Sequence, residues 1–402
     1  MTATANPIIP EAATRNERVK VVAREQGFAL APDIFASGTA LYESNQFSRK
    51  REEIAKRTDA PLALENFRER IRKEHREDHD VTVKSLRMLP TGYISTDAGL
   101  ILPESDAFKR LATFTLPPGA SSFLPACEPA LRATNANAFW QEGGYDNTLG
   151  AAMIDKEARV KLRVRNGGAD RKLWAVTSPT YGRFDVDQVA ALLAESLKAE
   201  AKAEVTYDGY RAVFDLSWVT PIEDPRLVGT GELFHAGVRI STADDASERL
   251  RVWALIERGL CRNFGIIDKS EQDVGSRIHR GNQFNKESIE TLIQEAHAKI
   301  APFVDAWIEA AKDKIFDGDE DARVKLQRFV DRGHLKIAGV DKQSVFNRVY
   351  SAWQKEPGYT RTSLVNALTR AAHESPWASP WQSQAVEQAA MQYVYVRDLA
   401  LN

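Results

Sequence analysis

The stretch ARVKLRVRNGGADRKLWAVTSPTYGRFD, residues 158–185, decides how the rest of the chain is read. Arg159, Lys161, Arg163 and Arg165 alternate with Val160, Leu162 and Val164. Successive strand side chains point to opposite faces, so this spacing puts the cations on one face and the aliphatics on the other. Asn166 and the two glycines after it signal a tight turn. The returning strand is then RKLWAVTS, which places Arg171 and Lys172 at a basic hairpin tip. Like charges side by side repel, so such a face needs neutralising by a polyanion or by facing acids.

Downstream, Asp185 and Gln188 have capping-box spacing, and Val189, Leu192, Leu193 and Leu197 form the apolar stripe of a helix. Period-two alternation follows three times. Tyr210, Ala212, Phe214, Leu216 and Trp218 share one face. Phe234, Ala236, Val238 and Ile240 share another, with His235 and Arg239 opposite. Leu250, Val252 and Ala254 alternate with Arg249, Arg251 and Trp253. Hairpin-connected strands near helices predict an α+β fold with a mostly antiparallel sheet. From Ser288 the pattern is helical, with Pro302 expected to kink or divide it. DGDED at residues 317–321 reads as an acidic linker to a small helical C-terminal unit.

Upstream, residues 1–80 mix both charge signs, and Glu69 and Lys73 have the spacing of an exposed helix, so they read as a charged, partly helical, solvated arm. Residues 81–90, VTVKSLRMLP, read as a strand. Residues 91–99 read as a turn, and 115–125 and 133–150 as irregular. The expected organisation is an arm over 1–80, an α+β core over 81–315 and a helical unit over 316–402.

The chain has 402 residues, 43% of them hydrophobic and 27% charged, with a formal charge of −2. These values are ordinary for a globular protein. Two cysteines, Cys127 and Cys261, make no disulfide framework, which fits a reducing cytoplasm. The first residues lack a signal-peptide core, and no apolar run has the length of a bilayer span. A cytoplasmic protein without membrane contact is expected.

Catalytic and metal patterns are weak. Cys261 and His279 lie in no nucleophile signature, and Cys261 reads as a small hydrophobe at the core edge. His75 and His79 are four apart but lack the glutamate of a metalloprotease motif, and no phosphate-binding glycine loop is present. Asp244 and Asp245 read as turn residues. The expectation is no catalytic residue, no metal and no cofactor. The basic residues carry the functional reading. Arg159, Lys161, Arg163 and Arg165 would hold phosphates, and Arg171 and Lys172 would extend the contact. Arg249, Arg251 and Trp253 would combine cation with stacking aromatic, and Arg277, His279 and Arg280 would form a basic loop.

Four segments in this order, LWAVTSPTYGRFD (173–185), GELFHAGVRIS (231–241), RGLCRNFG (258–265) and RIHRG (277–281), resemble the domain-of-unknown-function 932 family of bacterial phages, prophages and plasmids. The resemblance spans roughly residues 80–310, with an echo at 362–373. It departs from the family's Cys-x-Asn-Gly pattern, since Phe264 stands between Asn263 and Gly265. The family carries no established reaction. The resemblance implies a mobile-element setting, and the outline is similar to that of phage single-strand annealing proteins. The expected function is therefore single-stranded DNA binding, with annealing by a homo-oligomer in the bacterial cytoplasm. The alternative is a non-enzymatic structural or host-interaction protein whose basic face meets an acidic protein.

Overall fold

The computed structural model describes residues 53–117, 120–142, 155–166, 171–181, 185–197, 201–222, 224–228, 234–245, 250–258, 264–266, 286–375, 377 and 379–395. In chain order the elements begin with α1 (Ala60–Arg72), β1 (Arg76–Thr82), β2 (Arg87–Met88), β3 (Ile94–Thr96) and β4 (Gly99–Pro103). Next come α2 (Ser105–Thr115), α3 (Ala120–Phe123), α4 (Pro129–Glu142), β5 (Arg159–Asn166), β6 (Arg171–Thr177), α5 (Val186–Ser196), β7 (Ala201–Tyr207) and β8 (Arg211–Pro221). The chain continues with α6 (Pro225–Val228), β9 (Phe234–Ala243), β10 (Arg251–Arg258), β11 (Phe264–Ile266), α7 (Lys286–His297) and α8 (Ile300–Lys312). It closes with α9 (Asp319–Asp331), α10 (Lys342–Lys355), α11 (Arg361–Glu374) and α12 (Pro380–Tyr395).

The architecture is α+β, with two sheets. The first has the order β1-β5-β6-β4-β3-β2 and is antiparallel except where β4 meets β6. The second is antiparallel throughout, in the order β11-β10-β9-β8-β7. Each sheet has its own apolar core. Ile101, Leu162, Val164, Leu173 and Val176 of the first sheet pack with Phe108 and Leu111 of α2 and Trp140 of α4. Phe214, Leu216, Val238 and Ile240 of the second sheet share a larger core with α1, α5 and the helices from α7 to α12. No helix among the described residues is long and apolar enough to cross a membrane.

Several local expectations hold. β5 and β6 form the antiparallel hairpin, with a bulge between Arg163 and Val164. The Asp185–Gln188 capping box is present at the start of α5. The helical run after Ser288 divides into α7 and α8, and Pro302 falls in the first turn of α8, where its missing N–H costs nothing.

Others are corrected. Residues 133–142, read as irregular, belong to α4. Its asparagines misled, because Asn137 uses its side-chain amide to hold the backbone of Met88 on β2, at 2.7 Å and 2.8 Å. Ala133, Ala136 and Trp140 meanwhile bury the helical face. The VTVKSLRMLP strand is interrupted by a 3₁₀ turn at Val83–Ser85. The acids at 319–321 are the first turn of α9, where they favour the positive end of the helix dipole. Within the expected arm, α1 is helical but not solvated: Ala60, Leu64, Phe67 and Ile71 are buried at helical spacing against α5 and β7. Arg76–Thr82 is a strand, drawn into the sheet by its pairing with β5.

Candidate functional site

The basic face of β5 is closed at Arg163 and open at Arg159. Val160, Leu162 and Val164 are buried as the alternation requires, but Arg163 on the opposite face is also 0% exposed. The acids of β1 lie in register beside it, Asp78 opposite Arg163 and Asp80 opposite Lys161. Arg163 donates to Asp78 at 3.1 Å, to Asp185 at 2.6 Å and to the Asp244 carbonyl at 2.5 Å. Arg165 donates to Glu104 at 2.5 Å and Arg171 to Glu77 at 2.7 Å. Lys161 reaches the Tyr181 carbonyl at 3.5 Å, Arg159 is exposed and Lys172 is half-buried. The cationic row is therefore neutralised chiefly by facing acids, and the expectation that all four cations project toward a phosphate backbone is corrected for Arg163.

These bonds form a seam between the two sheets. From the first sheet, Arg76 pairs with Asp244, and Arg163 reaches Asp185 and Asp244. The Arg76 and Arg163 guanidiniums both lie against the ring of Trp174 on β6, at 4.9 Å and 4.8 Å from its centre, within cation–π range. Asp244 also accepts from the Val186 amide at the start of α5, at 2.6 Å. Asp244 and Asp245 lie in the turn after β9, as expected, and are buried there as partners of the seam. Burial pushes the Asp244 carboxyl up to about 7, helped by nearby Asp185 and opposed by Arg76 and Arg163.

The second sheet carries a different polar face. Opposite its apolar core lie Asp215 and Ser217 of β8, His235, Arg239 and Ser241 of β9, and Glu257 of β10, all buried. Trp253 lies on this face too and is only 6% exposed, with Arg251 over its ring at 6.0 Å, so the pair presents no open stacking platform. At one end, Arg57 donates to both Glu257 oxygens at 2.6 Å and 3.0 Å, and Ser217 donates to the same carboxylate. At the other, Arg239 donates to both oxygens of Asp215, at 2.6 Å and 2.9 Å, and to Glu387 of α12. Glu387 also pairs with His373 of α11. Burial opposes ionisation of both carboxyls. It raises Asp215 despite Arg239, whereas Arg239 and His373 together hold Glu387 below its ordinary value.

This second cluster opens onto a cavity of about 170 Å³ between the sheet and the α11–α12 pair. Glu204 and Thr206 of β7, Val213 of β8, and Trp381, Ser383 and Gln384 of α12 complete its wall. Arg211 stacks on Trp381 at 4.4 Å, and the Trp381 indole donates to Asp208 at 2.9 Å. The sequence signal for this site is a charge set among apolar neighbours: Asp215 between Phe214 and Leu216, Arg239 between Val238 and Ile240, and Glu387 after Val386. Charged residues are almost never fully buried unless paired, so each implies a partner. The alternation placed Arg239 correctly opposite the apolar face, but not its partners, which come from 148 and 24 positions away.

Arg249, Arg277, His279, Arg280 and Cys261 lie outside the described residues. Cys127 is a free, half-buried thiol. Among the described residues no group of three or more histidine, cysteine or acidic side chains is placed to hold a metal ion. Comparisons of this chain with protein-family models, curated proteins and solved structures find no match.

Proposed function

We propose that this protein binds a small polar ligand in the cavity between the second sheet and the α11–α12 pair. The supporting observation is that the Arg239–Asp215–Glu387–His373 cluster is not sealed by packing but forms the wall of a cavity. A concave site with convergent polar groups and perturbed carboxyls is a binding-site candidate. The volume of about 170 Å³ is below the roughly 300–1,000 Å³ of pockets for drug-sized ligands, which suits a small one. Filling the cavity by Thr206→Trp tests the site. Compounds that raise the melting temperature of the wild-type chain should leave the filled variant unmoved. Equal shifts in both proteins would place binding elsewhere.

A second reading is single-stranded DNA binding by a cytoplasmic, mobile-element protein that anneals strands as an oligomer. It is favoured by the resemblance to the domain-of-unknown-function 932 family, and by exposed Arg159 and half-buried Lys172, which have no acidic partner among the described residues. Fluorescence anisotropy of a labelled oligonucleotide across a salt series tests it. Binding with a steep salt slope, lost in Arg159→Glu/Lys172→Glu, supports this reading. Absence of binding at low salt removes it.

A further inference from the structure

We infer that the Trp381 indole is a gate to the cavity, latched by the turn between β7 and β8. The inference rests on the proposal that this cavity is the binding site, and adds how the site is entered.

The first argument is where the ring is held. Trp381 lines the cavity with Ser383 and Gln384 at the start of α12. Farther along the helix, Val386, Ala390, Met391 and Val394 are buried in the large apolar core. The Trp381 ring is half-buried and is held by the turn instead. Its indole N–H donates to Asp208 at 2.9 Å, and the Arg211 guanidinium lies 4.4 Å from its ring centre. The turn is shaped for this. One Asp208 oxygen accepts from the Tyr210 and Arg211 amides, at 3.2 Å and 2.8 Å, which leaves the other for the indole. Gly209 between them supplies the positive φ of 109°.

The second argument is what can move. β8 is paired on both sides, by β7 and β9. The first turn of α12 is tied down, since Ser383 donates to the Ala372 carbonyl of α11 at 2.6 Å and Gln382 to the Ala338 carbonyl at 2.8 Å. The indole is the part of the wall that swings. Its contacts to the turn are an exposed hydrogen bond and a cation–π pair, both inexpensive to break. Groups held this way open locally while the rest of the fold stays closed. Val213 of β8, 6% exposed, lines the same cavity and is placed to report entry.

Alkylation by iodoacetamide of the full chain carrying Val213→Cys, read by mass spectrometry of the peptide holding residue 213, measures that entry. Adding Asp208→Asn and Arg211→Met removes both contacts, and the asparagine oxygen still serves the turn amides. The rate at residue 213 should rise about tenfold, the combined effect of losing a charge-assisted hydrogen bond and a cation–π contact. Cys127, packed against the first sheet's core, should keep its rate in the same digest. Trp381→Phe, which lacks the indole N–H, should raise the rate at residue 213 by a smaller factor. Circular dichroism melts verify that the variants fold. An unchanged rate at residue 213 overturns the gate. Equal acceleration at Cys127 overturns it too, since the whole chain has then loosened. No ligand is used, so failure here is distinct from failure of the cavity-filling comparison.

Discussion

Arg163 shows how one side chain can look like a surface contact in the sequence and act as an internal tie in the fold. Its guanidinium joins Asp78, Asp185 and the Asp244 carbonyl, with Trp174 against its face. Removing one member of a buried ion pair leaves the other charge uncompensated, at a cost of about 3–5 kcal/mol. Arg163→Leu should therefore lower the unfolding free energy by about that amount in chemical denaturation, whereas Arg159→Ala, at an exposed position, should stay within about 0.5 kcal/mol. Similar small effects for both would mean that Arg163 is not held as described. Asp244 gives a pH signature. Its folded-state value of about 7 lies above the ordinary 3.8, so the folded state holds a proton there that the unfolded state has lost. Its contribution is full below about 3.8 and is lost as pH rises through about 7. The wild-type minus Asp244→Asn difference in stability should thus fall across that window, and a flat difference would refute the assignment. The period-two alternation made the faces of β5 legible. It could not name the neutralising acids, because Asp78, Asp185 and Asp244 arrive from a neighbouring strand, a helix cap and the other sheet.

At the scale of elements, what was readable followed local chemistry, and what was missed followed tertiary partners. The capping box at Asp185 and the break before Pro302 depend on adjacent residues, and both were legible. α4 was not, because the asparagines that give it a loop-like texture serve β2 rather than a turn. α1 was legible as a helix, but its charged sides hid the buried stripe. Leu64, fully buried, and Leu62, 56% exposed, separate a packed helix from a solvated one. Leu64→Ala should cost about 2–5 kcal/mol by equilibrium denaturation, and Leu62→Ala close to nothing. Near-identical, small costs would return α1 to solvent.

For the molecule as a whole, two apolar cores meet across a seam of arginines and carboxylates, and a second charged cluster lies between the second sheet and the C-terminal helices. The α+β class was legible because alternation and helical stripes are local. The meeting of the sheets was not, since sequence period says nothing about which polar face covers which. The cavity site was half legible: Arg239 was placed on the polar face, while His373 and Glu387 came from helices read only as a C-terminal unit. The central claim is that charge is gathered inside this fold to hold its elements together. Its most direct test is the side-chain Nε–H resonance of Arg163, assigned with Arg163→Lys, followed by hydrogen exchange in the full chain. Protection of that N–H from solvent exchange is the predicted result. Exchange as fast as that of exposed Arg159 would contradict the account.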